Sequence, residues 1–303
     1  MIPDAVERGI EHIRRGGIVL IYDAEDREGE TDFVMPATMV RPRDIAYFRR
    51  EAGGLICVAI HPAAAEKFGL PLISDILRRS PLSGMVEEDG DLAYDKRSSF
   101  SLWVNHRATF TGITDRDRAL TIKKIGEAVA EALNGGGYSS MDFQSSFRTP
   151  GHVAILRAAD GLLEERRGQT ELSVALALLA GIPPAMVICE MLDGDTGYAL
   201  SKSDAKSYAQ RHGSVFTVSY THLRAHETVW VELPRLQGLL EVFEPALQYH
   251  SRTALCTGRY RTAAVKKHGA AAVAALDALL RPYRGTGLLR LAAHVAAKPE
   301  GGA

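Results

Sequence analysis

The chain has 303 residues, 46% hydrophobic and 24% charged, the composition of an ordinary globular protein with space for one large domain, or one medium domain and an appendage. A formal net charge of -1 and only 7% aromatic residues argue against a nucleic-acid-binding module, so any anion must be captured by local basic residues. Cys57, Cys189 and Cys256 are far apart and form no CxxC pair, so neither a disulfide framework nor a zinc ribbon is suggested, and a reducing cytoplasm fits.

The opening MIPDAVERGIEHIRRGG is charged and lacks the apolar core of a secretion signal. Val6, Ile10 and Ile13 predict a helix over 3–16, ended by Gly16-Gly17. GIVLIYD (17–23) predicts a buried strand, followed by a polar loop over 24–32. Further strands are predicted at 55–60, 100–104, 152–156 and 186–190, and helices at about 43–52, 118–133, 170–180 and 203–212. Thr114 and Asp117 resemble a capping box, Gly181 a helix stop, and Ser203 an N-cap. The most apolar stretch, Leu172 to Met191, is broken by Gly181, Pro183 and Pro184. It reads as a buried helix followed by a strand, not a membrane span. Strands alternating with helices predict an α/β (α+β) fold, a mixed twisted sheet in a layered structure.

Four segments carry chemistry. Asp26-Arg27-Glu28-Gly29-Glu30-Thr31-Asp32 sets four acids and one arginine just after a buried strand. Clustered carboxylates repel unless a cation or substrate lies between them, and oxygen-rich clusters suit magnesium. A solvated acidic turn would satisfy the same composition. His152, after Arg148-Thr149-Pro150-Gly151, reads as the first residue of a strand beyond a Pro-Gly turn; its imidazole suits proton transfer near neutral pH or a structural hydrogen bond. Arg166-Arg167-Gly168-Gln169-Thr170-Glu171 opens an apolar helix, where free N–H groups and the dipole favour a phosphate; an ordinary capped helix is the alternative. Glu190 ends the strand MVICE, at a layer edge where burial can raise a carboxyl pKa, or where the carboxylate is simply solvated.

In order and spacing these segments, with GGLICVAI, NHRATFTGITDRDRALTIKK and RTPGHVAILRA between them, resemble 3,4-dihydroxy-2-butanone 4-phosphate synthase, in its archaeal form, over about residues 4–217. The resemblance implies a three-layer fold, a mixed sheet flanked by helices, and a cytoplasmic homodimer whose active sites draw on both subunits. It implies conversion of D-ribulose 5-phosphate to L-3,4-dihydroxy-2-butanone 4-phosphate and formate in riboflavin biosynthesis, with Mg²⁺ or Mn²⁺ and no organic cofactor. It further implies Glu28 as a metal ligand, Arg27 and Asp32 as substrate contacts, and Arg166, Arg167, Gly168, Gln169 and Thr170 as the phosphate segment. Glu28 and Glu190 are expected to touch substrate as well. His152, Glu190, Glu30 and Asp32 are the expected catalytic groups, and Cys57 and Thr114 border the site.

One departure stands out. The family pattern Gly-His-Thr-Glu places a second metal-ligating histidine where this chain has Gln169. An amide oxygen can coordinate magnesium but is neutral and no base. The alternative reading is therefore a catalytically impaired homologue that keeps phosphate or metal binding. Some relatives carry a fused GTP cyclohydrolase II domain with a cysteine trio, which Cys256 alone does not supply. VSYTHLRAHET (218–228) resembles translated sequencing-adapter sequence. The remainder to 303, with a helical pattern around 262–281, is expected to be a chimeric tail rather than a functional domain.

Overall fold

The computed structural model describes residues 4–134 and 137–218. The expected tail, its helical stretch and Cys256 lie outside the described residues. In chain order the elements are α1 (Asp4–Arg14), β1 (Val19–Tyr22), β2 (Thr31–Pro36), α2 (Pro42–Tyr47), β3 (Cys57–Ile60), α3 (Pro62–Phe68), α4 (Ile73–Leu77), β4 (Phe100–His106), α5 (Asp115–Leu133), α6 (Ser140–Ser146), β5 (Phe147–Arg157), α7 (Gln169–Ala180), β6 (Ala185–Glu190), α8 (Lys202–His212) and β7 (Val215–Val218).

The strands form one mixed sheet in the order β4-β5-β3-β6-β2-β1-β7. β3 runs parallel to β5, and β1 to β7, while β2 and β6 are antiparallel to their neighbours. The alternation of strand side chains divides the core in two. Phe33, Met35, Val58, Ile60, Val187 and Cys189 face a cluster with Ile122, Ile125 and Val129 of α5 and Tyr208 of α8. The intervening residues, among them Ile21, Val34, Cys57 and Ile188, face the opposite layer, where α7 and α1 pack on the sheet and on each other. Three layers follow, as expected. Each fully buried large side chain, such as Phe33 or Phe48, contributes about 1.5–3 kcal/mol relative to exposure. Helix α7 is buried on nearly every side, which explains a sequence that is apolar all round.

Several expectations are corrected. Thr31 and Asp32, read as the end of the polar loop 24–32, begin a buried strand, TDFVMP, between β1 and β6, whose remaining residues had no predicted element; the acidic and hydroxyl residues hid the pattern. Residues 152–156 belong to a longer β5 that passes straight through Pro150-Gly151, with a register shift against β4 between Val104 and Asn105. The Pro-Gly pair is therefore a bulge within a strand. Thr114 caps α5 by accepting from the Asp117 backbone N–H. The Asp117 carboxylate does not reciprocate; it accepts instead from the N–H groups of Thr111 and Gly112. Helix α8 is capped by Ser201, not Ser203.

Candidate active site

The loop between β1 and β2 is folded around a buried acid. Asp23 accepts from the backbone N–H groups of Glu28 and Glu30, at 3.1 and 3.0 Å, and Gly29 takes the left-handed backbone (φ 69°) that turns the chain. From outside, Lys202 pairs with Glu25 at 2.9 Å and lies over the Tyr22 ring. Arg27 folds back across the loop, pairs with Glu28 at 2.9 Å and Asp23 at 3.3 Å, stacks against Tyr94 and contacts Asp95.

Arg166 approaches from the segment before α7. Glu171, itself fully buried, pairs with it at 2.7 Å and accepts from the Ala159 backbone N–H. Burial pushes the Glu171 carboxyl pKa up while Arg166 pulls it down. The guanidinium groups of Arg27 and Arg166 meet over Gly168, where a methyl group would collide with both. Gly168 is the N-cap of α7 and offers no side-chain cap, so the first N–H groups of the helix complete a cationic seat for an anion. Asp95 reaches this seat from the loop ahead of β4. Its Oδ2 touches Arg27 and lies 2.7 Å from Arg166 Nε, close enough for an ion pair but out of line for a hydrogen bond, since Nε has no hydrogen-bond partner.

The acids lie beside that seat. Asp32 on β2 sits directly opposite Glu190 on β6, a like-charge pair at the spacing where side chains interact most strongly. Glu190 Oε2 accepts from the Leu55 backbone N–H at 2.8 Å. Asp32 is completely buried with Oδ1 unpartnered. Burial, then Glu190, Glu28 and Glu30, push its carboxyl far above the usual carboxylate range. Glu30 rises to about 7, chiefly through burial and then through Glu28, Glu190 and Asp23. Glu28 is also raised, by burial against the pull of Arg27 and Arg166.

Gln169 closes the site. Its side-chain NH₂ donates to the carbonyls of Ile21 and Glu30, at 3.0 and 3.1 Å. That leaves Oε1 buried without a hydrogen-bond partner. Among the described residues no three His, Cys, Asp or Glu side chains converge in a metal-binding arrangement, and Glu28 is turned toward the arginines. Magnesium, however, needs only one or two carboxylates, with waters completing its shell. An orphaned amide oxygen, on a side chain bonded to the Glu30 carbonyl, and the nearby cluster of mutually repelling acids are oxygen donors of the kind a hard divalent cation takes.

The structure thus brings together Arg27, Glu28, Glu30, Asp32, Arg166, Gly168, Gln169 and Glu190. Thr170 is buried in the first turn of α7, and Arg167 is exposed beside the seat. Cys57 shares the face of Glu190 and is buried; burial and Glu190 push its thiol far up, so it stays protonated. His152 is not brought to this cluster within one chain. It lies on β5, separated from β6 by β3, roughly 10 Å across the sheet, and is exposed. It hydrogen-bonds Asn105, and Thr114 belongs to the same neighbourhood through Thr111. Asp23, Asp95, Glu171 and Asn105 carry site contacts that no individual role in the sequence foretold. Asp23 adjoins the acidic motif and Glu171 closes the segment 166–171, where each stands as a charge next to an apolar run; Asp95 sits in a polar loop with no pattern.

A family model described as 3,4-dihydroxy-2-butanone 4-phosphate synthase matches residues 7–224. The protein of that name from Methanosarcina mazei is 56% identical over 216 residues, 70% of this chain and 86% of its own length. The one from Archaeoglobus fulgidus is 56% identical over 234 residues, 75% of this chain and 97% of its own. Among solved structures, a 3,4-dihydroxy-2-butanone 4-phosphate synthase in complex with two magnesium ions aligns with TM-score 0.59 and 26% identity, covering 74% of this chain and 97% of that one. The Candida albicans enzyme aligns with TM-score 0.55 and 29% identity, over 70% and 92% of the two chains.

Proposed function

The chain belongs to the 3,4-dihydroxy-2-butanone 4-phosphate synthase family, lyases of riboflavin biosynthesis, and from that premise we propose that it converts D-ribulose 5-phosphate to L-3,4-dihydroxy-2-butanone 4-phosphate and formate. The carrying observation is a cationic seat made by Arg27, Arg166 and the α7 N-terminus, adjoining four carboxyl groups and the unpartnered oxygen of Gln169. The overall reaction divides the substrate's atoms between two products with no oxidant, reductant or net water: water lost in dehydration is returned when formate is released, and between the two a carbon migrates, one C–C bond forming as another breaks.

In this reading the substrate phosphate takes the place of Asp95 between the two guanidiniums, with Glu171 holding Arg166 in position. Paired guanidiniums match the oxygens of a phosphate monoester, and the helix N–H groups add to the seat. Glu28 and Gln169 Oε1 would hold Mg²⁺ or Mn²⁺. The cation, when bound, supplies positive charge to stabilise the developing enediolate. Glu30, poised near neutrality at about 7, takes and returns a proton at the sugar carbons. Asp32, whose carboxyl is raised by burial and by Glu190, suits the donor role in dehydration, with Glu190 as its acid–base partner. His152 serves from a second copy in a homodimer. Its strand region carries the exposed Trp103 and Phe110, an apolar surface suited to self-association. We assign this activity to residues 1–217, give the segment 218–303 no functional role, and place the enzyme in the cytoplasm. No helix among the described residues is long and apolar enough to cross a membrane.

A second reading, an impaired homologue, is favoured by Gln169 itself. Formate release from ribulose 5-phosphate by the full chain, across a magnesium titration, separates the two. Release that depends on magnesium supports the synthase, whereas phosphate binding without release supports the impaired form. Gln169→His is expected to raise turnover at limiting magnesium by about tenfold. Equal activity of both forms throughout the titration would remove Gln169 from the metal site.

A further inference from the structure

We propose that Asn105 is a positioning residue that fixes the neutral tautomer of His152, keeping the ring proton on Nε2 and so presenting a proton donor rather than a base. The inference rests on the reading above only in giving His152 a part in the reaction; the tautomer itself follows from hydrogen bonding alone.

Asn105 is almost fully buried on β4, at the register shift against β5. The backbone N–H of His152 lies 2.9 Å from Asn105 Oδ1. An N–H group can only donate, so the amide oxygen must face it. The amide nitrogen then faces His152 Nδ1 at 3.1 Å and the Thr111 carbonyl at 3.5 Å. The carbonyl can only accept, which fixes the amide orientation a second time. Both amide hydrogens are thereby directed, one to Thr111 and one to His152. Nδ1 must accept, so it carries the lone pair, and the neutral ring has its proton on Nε2.

Two glycines allow this approach. A methyl group at Gly112 (φ 95°) would collide with the Asn105 amide, and one at Gly151 would collide with the backbone of Val104 and Asn105. The 111–112 loop and the β5 bulge are thus pressed onto the Asn105–His152 pair. A carboxylate at position 105 would give the reverse outcome. One oxygen would still accept from the His152 backbone, but the other would require Nδ1–H, leaving the lone pair on Nε2 as a base. The choice between amide and acid at a single buried position selects the ring's role.

The test is ¹⁵N NMR of the histidine rings in the full chain, at a pH where the rings are neutral. The His152 signals are identified as those lost in His152→Gln. The wild-type protein is expected to show Nε2–H and an unprotonated Nδ1, and Asn105→Asp is expected to reverse this. In Asn105→Asp, kcat for formate release should fall by about 10², with KM little changed because the phosphate seat lies elsewhere. Nδ1–H in the wild-type spectrum would overturn the proposal, and that measurement decides even where the variant does not fold. A reversed tautomer with unchanged kcat would overturn its catalytic consequence. Full activity of His152→Gln would instead remove His152 from the reaction while leaving the tautomer result intact.

Discussion

The two halves of the site are built on opposite electrostatic terms. In the phosphate half, each cation has an acid: Arg166 has Glu171, Arg27 has Glu28 and Asp23, and Asp95 lies against both. In the acidic half, Glu30 and Asp32 lie with Glu190 among like charges, burial and those charges raise the Glu30 and Asp32 carboxyl pKa values, and Asp32 Oδ1 and Gln169 Oε1 lack hydrogen-bond partners. In the first half the charges are paired without ligand, although Arg166 Nε lacks a hydrogen-bond partner, and an anion must displace a resident carboxylate. The second is held together at a cost that a divalent cation would offset. A site can therefore be preorganised in one part by satisfied charges and in another by deliberately unsatisfied ones.

The contrast can be broken most severely at Glu28, an acid that pairs with Arg27 and also raises the Glu30 and Asp32 carboxyls. Glu28→Gln is expected to lower kcat/KM for formate release by about 10² or more, with a loss of magnesium dependence. Thermal denaturation in parallel would show whether the fold persists. Retention of magnesium-dependent turnover would place the cation elsewhere.

A smaller effect follows from the raised carboxyl groups. Glu30 moves from 4.5 to about 7 on folding. Between those values the folded chain keeps a proton that the unfolded chain has lost, so this group's contribution is present below 4.5 and is lost as pH rises through 7. A cation competes with that proton, and its stabilisation should grow over the same window. Melting curves with and without Mg²⁺ should nearly coincide at the acidic end of the window. Above neutrality they should separate by roughly 5–10 °C at a hundredfold excess over Kd, equivalent to about 2.7 kcal/mol. A separation independent of pH would mean that the acidic half is not where the ion binds.

The smallest effect tests the satisfied half. Asp95→Asn removes the resident anion, and inorganic phosphate should bind up to about fivefold more tightly, the scale of one partly exposed ion pair. Weaker phosphate binding in isothermal titration would show that Asp95 organises the arginines rather than competing for them.

Much of the architecture was legible because apolar periodicity reports burial. The α7 run, the strand MVICE and the strand GIVLIYD all form where their patterns indicate. β2 was not legible, because a strand that begins with Thr31 and Asp32 looks like loop until its partners bury it. Of the site, the acidic loop and the RRGQTE segment announced themselves by charge and by position next to apolar elements. Asp95 did not, since its significance arises only from where a long polar loop folds back. Nor did Asn105, which opens the segment NHRATFTGITDRDRALTIKK one residue past the predicted strand but whose partner lies on the neighbouring strand β5.

The sequence by itself determined the layers, the family and the chemical types gathered for the reaction, because local spacing and residue identity depend on nothing beyond the neighbouring chain. Only the tertiary structure decided which charges cancel and which do not. It set Asp32 against Glu190, brought Arg27 and Arg166 together over Gly168, stranded the Gln169 oxygen and separated His152 from the acids by two strand spacings. Electrostatic energy depends on distance and burial between residues far apart in the chain, and no reading of order along the sequence contains either.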